Sequence, residues 1–226
     1  MNIQQLIKKL GTPYSKELGI NLKSCSSREI AKWFLASILF AARISESIAK
    51  STYREFEKRG VITPAKISGT DWDDLVAILD AGGYVRYDFK TADKLLEVFG
   101  NLQKDYKGDL NKLHENAKDS ADLEKKLKSL GKGIGDVTVA IFLREMRNCW
   151  EKANPEPTPL VLEAMKNLGI KNLRDSAREN NLDIVGLETA LLRLSKGFCR
   201  KKKCDECLVG DICSAQQMYI PNPHVF

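Results

Sequence analysis

Apolar residues recur along this chain at the three- and four-residue spacing of helices, and almost nowhere at the alternation of strands. That property constrains the fold more than any other. Short amphipathic helices must bury their apolar stripes against one another. Ser26-Ser27-Arg28-Glu29 reads as a capping box that opens the apolar run Ile30 to Phe40. Ser45 to Arg59 sets Ile48, Tyr53 and Phe56 among polar neighbours and ends at Gly60. Thr70 is placed to cap a helix from Asp71 to Asp80, which Gly82-Gly83 stops. Asp88 opens another, with Ala92, Leu95, Leu96 and Phe99 in register and Gly100 as terminator. Leu110 to Glu115, Ser120 to Leu130, Asp136 to Trp150, Pro159 to Leu168, Leu173 to Glu179 and Asp183 to Lys196 follow. Gly60 to Ile67 alternates too weakly for a strand and reads as loop. The expected class is all-α, with roughly ten helices.

The 226 residues leave room for one large domain or two small ones. The sequence suggests a central helical domain over 28–150. Residues 1–27 and 151–226 would form a second helical lobe. Lys plus Arg is 36 against 30 for Asp plus Glu, and the resulting +6 permits a polyanionic partner without requiring one. No apolar run approaches the roughly 20 residues of a membrane span; the longest, Trp33 to Ala42, is a helix-sized core segment. The start, Met1-Asn2-Ile3-Gln4-Gln5, lacks the basic opening and apolar centre of a signal peptide. The expectation is a monomer in the cytoplasm with reduced thiols and no membrane partner.

The chain has six cysteines. Cys25 and Cys149 stand alone and read as small buried hydrophobes. The others fall in one run, Cys199-x4-Cys204-x2-Cys207-x5-Cys213, directly after a helix. Four neighbouring thiolates need a cation to offset their repulsion, and iron–sulfur clusters and structural zinc are the common answers. Zinc sites favour two short knuckles, whereas here only Cys204 and Cys207 make one. The wider outer spacing favours a four-iron four-sulfur cluster over zinc or unrelated thiols. Between the first two cysteines lie Arg200, Lys201, Lys202 and Lys203. Such a charge run is ordinarily just solvated, but on a metal-pinned loop it suits phosphate contact.

Leu130-Gly131-Lys132-Gly133-Ile134-Gly135 separates two helices. Its glycines allow a tight turn, and Ile134 can tuck inward as an anchor. The next helix begins at Asp136, so its first amides and those of the turn would face outward together as an anion site. Lys132 adds charge. A plain helix–helix connection is the alternative. Among the aromatics, Trp33 and Trp72 read as core, and Tyr84 and Tyr87 as packing rather than base-stacking residues.

Taken together, Leu130 to Ala140, the cysteine run and the segment Leu35 to Glu46 resemble the base-excision DNA glycosylases related to endonuclease III and the adenine glycosylases. The likeness covers about residues 28–214. It implies a two-lobed, all-α helix-hairpin-helix fold with a C-terminal iron–sulfur loop. Double-stranded DNA, lesion-bearing or not, would lie across the cleft between lobes. The implied DNA contacts are Gly131, Lys132, Gly133, Ile134, Gly135, Arg43 and the run Arg200 to Lys203. The implied ligands of the four-iron four-sulfur cluster are Cys199, Cys204, Cys207 and Cys213, with a first gap shorter than in relatives.

Two departures concern the chemistry. The family's imine-forming lysine falls at Val137, directly before Thr138, so lyase chemistry by that route is not expected. The family's aspartate falls at Pro157 or Thr158, and no carboxylate stands there. Glu156 and Asp136 are the nearest acids, the second placed rather to cap its helix. A third departure is Ala42 where relatives carry a glutamine that fills the gap of a flipped base; Arg43 stands beside it. Two readings follow. One is a binder of duplex DNA that recognises a flipped or damaged base. The other is a monofunctional glycosylase using an acid such as Glu156. A redox-sensing DNA binder is a third, weaker reading.

Overall fold

The computed structural model describes residues 2–214. Among them there are thirteen α-helices and no strand: α1 Ile3–Leu10, α2 Tyr14–Glu17, α3 Ser27–Phe40, α4 Glu46–Lys58, α5 Pro64–Ser68, α6 Trp72–Ala81, α7 Asp88–Tyr106, α8 Leu110–Glu115, α9 Ser120–Lys128, α10 Asp136–Met146, α11 Pro159–Asn167, α12 Leu173–Glu179 and α13 Ile184–Leu194. The all-α class is as the sequence indicates. No helix among the described residues is long and apolar enough to cross a membrane. Tyr14–Pro155 forms one compact unit, and the segments on either side of it form the other. Residues 14–27 thus fold with the central unit.

The central unit is built around α3. Its Ile30, Ala31, Trp33, Phe34, Leu35, Ala36, Ile38 and Leu39 are all buried, as a helix apolar on every side must be. Trp33 Nε1 donates to Phe142 O at 3.1 Å, joining α3 to α10. Phe34 meets Phe99 and Phe142 edge-on, with centroids 6.0 and 5.0 Å away. Only half of the expected capping box forms. Ser26 Oγ accepts from Glu29 N, but the Glu29 carboxylate turns to Asn21 N at 2.8 Å and Lys32 Nζ at 2.6 Å. Helix α7 packs on α5 and α6 through Thr91, Ala92, Leu95, Val98, Phe99 and Leu102.

Several expectations are corrected. Helix α7 runs through Gly100 to Tyr106, because that glycine sits where nothing crowds it and the next turn still has Leu102 to bury. It ends instead at Lys107 and Gly108, both with positive φ. Gly60 to Ile67 is not all loop, since Thr63 caps α5 and Pro64 takes its first turn. Thr70 does not cap α6; its hydroxyl donates to Lys66 O at 2.7 Å, and Asp71 holds the cap position. Helix α10 stops at Met146 rather than Trp150. Trp33 is core, but Trp72 is half-exposed, tilted on the exposed Phe89 at 5.2 Å. Tyr84 is buried and its hydroxyl donates to Leu39 O at 3.2 Å, while Tyr87 lies edge-on to it.

The largest correction concerns Cys25 and Cys149. They are not isolated hydrophobes but a disulfide, with Cα atoms 5.6 Å apart and a separation of 124 positions in sequence. Asn111 on α8 ties the two segments together. Its Nδ2 donates to Cys25 O at 3.2 Å, and its Oδ1 accepts from Trp150 Nε1 at 2.7 Å.

His114 stacks on Trp150 with centroids 4.9 Å apart and planes 9° from parallel. Its Nε2 is buried with no partner among the described residues. Burial, and then the nearby Lys152, hold its pKa below the ordinary 6.5. The unfolded chain therefore binds a proton more readily than the fold does. Stability from this group is complete above pH 6.5 and is lost as pH falls toward the folded value. His114→Phe keeps the stack and removes the titration. The expected result is a smaller fall in melting temperature between pH 7 and 5 than in the parent.

The outer unit is assembled on α13, against which α1, α11 and α12 pack. Val185, Leu187, Ala190, Leu191 and Leu194 are its buried stripe. Arg193 Nη1 caps α1 by donating to Leu10 O at 3.1 Å and Thr12 O at 2.8 Å. A π-turn, Ser195–Cys199, extends α13 directly into the cysteine run.

Candidate nucleic-acid interface and cysteine centre

The hairpin between α9 and α10 is anchored by buried residues and exposes Gly133 and Gly135. Leu130 and Ile134 are 2% and 5% exposed, and Ile134 N donates back to Gly131 O at 3.2 Å. Asn101 Nδ2 holds Leu130 O at 2.8 Å. The turn lies on α7. A Cβ at Gly131 would sit 2.6 Å from Val98 Cγ2, and one at Gly133 would sit 2.7 Å from Lys94 Cε. Gly133 also has φ +90°, which only glycine adopts without strain. Sequence periodicity could not reveal Lys94, since it reaches the hairpin from a helix more than thirty residues earlier.

Gly135 is the N-cap of α10 and has no side chain to satisfy the first turn. The amides of Asp136, Val137 and Thr138 therefore find no acceptor among the described residues. Lys132 is exposed at the tip. Asp136 does not cap the helix. It is the first helical residue, exposed, and paired with Lys128 Nζ at 2.6 Å. The Lys128 hydrogen bond holds its carboxyl below the usual range. An acid at the mouth of an anion site would repel its ligand, and Lys128 offsets that charge.

The other candidates are placed as follows. Val137 is 60% exposed. Glu156 is exposed in an irregular stretch. Just before it, Arg147 pins the chain by donating to Asn154 Oδ1 at 2.9 Å and Pro155 O at 2.7 Å. Thr158 is the N-cap of α11, with a buried hydroxyl that has no partner among the described residues. Arg43 is exposed in the bend after α3.

In the outer unit, Cys199 ends the π-turn, Cys204 and Cys207 flank a tight turn closed by Cys207 N to Cys204 O at 3.1 Å, and Cys213 is buried. Burial raises the Cys199 thiol, and Cys207 and Cys213 add to the rise. Burial likewise raises Cys207, helped by Cys213 and Cys204. Cys207 is thus the thiol that feels the charge of Cys204 and Cys213 and contributes to that felt by Cys199. Among the described residues no group of three or more histidine, cysteine, aspartate or glutamate side chains is placed to hold a metal ion. Asn167 Nδ2 donates to Cys199 Sγ at 3.7 Å, a contact not legible in the spacing. Arg200 to Lys203 are exposed on the loop, where Lys203 pairs with Glu206 at 3.0 Å and Lys202 has φ +53°.

No protein-family model matches the sequence, and no curated protein matches it.

Proposed function

We propose that this chain binds duplex DNA through the Gly131–Gly135 hairpin, as a non-lyase protein of the helix-hairpin-helix repair type that recognises a flipped or damaged base. The observation that carries this reading is the hairpin itself. A glycine turn is docked on α7, the first-turn amides of α10 have no acceptor among the described residues, and Lys132 is exposed beside them. Unsatisfied amides converging at a helix start bind a phosphate oxygen without regard to base sequence. Val137 offers no amine for an imine, and the acids nearest the expected catalytic position are exposed. A binding role therefore fits better than covalent chemistry.

In this reading Cys199, Cys204, Cys207 and Cys213 hold a four-iron four-sulfur cluster. The support is the run Cys199-x4-Cys204-x2-Cys207-x5-Cys213, whose wide outer spacing favours a four-iron cluster over a two-knuckle zinc site. When bound, the cluster supplies a covalent brace for the loop. The loop's own Arg200, Lys201 and Lys202 would then meet the phosphate backbone, with Lys203 already engaged by Glu206.

The test is a binding series on undamaged and lesion-bearing duplexes at rising salt, with iron and sulfide assayed on the same preparation. Expected are iron and sulfide near cluster stoichiometry and a steep loss of affinity with salt. Lys132→Ala should weaken binding about equally on every sequence. No binding at low salt would remove the nucleic-acid reading, and zinc in place of iron would remove the cluster. Release of free base from a lesion duplex, abolished by Glu156→Gln, would establish a glycosylase instead.

A further inference from the structure

We infer that Lys94, reaching from α7 across Gly133, is the hairpin's built-in phosphate clamp, closing on a non-bridging oxygen of a nucleic-acid backbone. The inference rests on the hairpin reading above and names a residue that the hairpin sequence does not contain. Its geometry follows from Gly133. The Lys94 stem fills the space that the missing side chain leaves, with Cε 2.7 Å and Nζ 3.4 Å from where a Cβ would stand. The stem is held against the turn, so the ammonium is delivered to the loop in a restricted set of positions. A cation fixed in this way loses less rotamer freedom on binding than an exposed one such as Lys132.

Its charge is also uncommitted. Two cations of α9 are engaged, Lys128 with Asp136 at 2.6 Å and Lys126 with Asp122 at 3.9 Å. Among the described residues Lys94 forms no ion pair, although Glu97 lies one turn along, under Gly131. Burial without a counter-ion pushes the Lys94 ammonium below its ordinary pKa of 10.5. An anion arriving at the hairpin would relieve that penalty. A phosphodiester supplies a single negative charge together with oxygens for the first-turn amides of Asp136, Val137 and Thr138.

Two substitutions separate charge from packing. Lys94→Met keeps an unbranched stem against Gly133 and deletes the ammonium. Lys94→Arg keeps the positive charge. Binding of the full chain to an undamaged duplex is measured from 20 mM to 300 mM NaCl. For Lys94→Met the expected result is a loss on the order of fivefold to tenfold at 0.1 M salt, with a log–log slope shallower by about 0.9. Lys94→Arg should recover most of both. Unchanged affinity and slope in Lys94→Met, with the parent binding normally, would overturn the role of Lys94 and leave the hairpin reading standing. A parent protein that binds no duplex at 20 mM salt would overturn both.

Discussion

Replacing both Cys25 and Cys149 by alanine should lower the stability of the Tyr14–Pro155 unit by up to about 5 kcal/mol. The bond joins positions 124 apart, so it closes a loop that spans most of the unit. Cross-linking so long a segment removes a large share of the unfolded chain's freedom, and the stabilisation grows with the logarithm of loop length. The fold holds the two ends together independently, because Asn111 grips Cys25 O on one side and Trp150 Nε1 on the other. The alanine variant should therefore keep the same helices and lose denaturant resistance, with a lower urea midpoint. The same shift should appear when the parent is unfolded in dithiothreitol, and the variant should not respond to the reductant. Equal midpoints for oxidised parent and variant, or two alkylatable thiols at Cys25 and Cys149 in the non-reduced parent, would sink this expectation.

That bond marks where sequence reading stops. Helices are local, and the apolar spacing of α3 or α13 and the cap at Ser26 are written in consecutive residues. The cysteine run and glycine hairpin are local too, which is why their positions were legible without coordinates. Two cysteines 124 apart carry no mutual signal, and a lone cysteine is most often a small apolar filler. Lys94 was hidden for the same reason, since only the packing of α7 under the turn brings it to Gly133. Local reading failed where a residue type had two uses. Gly100 looked like a stop but lies on an uncrowded face of α7. Thr63-Pro64 is a good helix start, but α5 has only Pro64 and Ile67 to bury, too few to show a period. The Glu29 carboxylate fitted a capping box, but Asn21 N and Lys32 compete for it successfully.

The second large effect is expected at Glu145, an acid that no motif singled out. It is 3% exposed in the last turn of α10 and accepts from Tyr14 N at 2.9 Å and Ser15 N at 3.0 Å. Those two amides begin α2, a helix of four residues that cannot sustain itself. The same carboxylate is the counter-charge of the buried Arg144, whose Nη2 lies 3.9 Å away and whose guanidinium rests 5.4 Å from the centre of the Tyr14 ring. Arg144 Nε has no hydrogen-bond partner among the described residues, so this arginine has little else there to offset its burial. Glu145→Ala leaves a buried guanidinium without its anion and two amides without an acceptor. The expected loss is about 3–5 kcal/mol by chemical denaturation, with faster amide exchange at Tyr14 and Ser15. Glu145→Gln keeps an acceptor for one amide and should lose less. Arg144→Met in the Glu145→Ala background should regain part of the loss, because it removes the stranded charge. A Glu145→Ala midpoint indistinguishable from the parent would mean that water already solvates this pair, and α2 would then have to be held by the packing of Tyr14 and Leu18 alone.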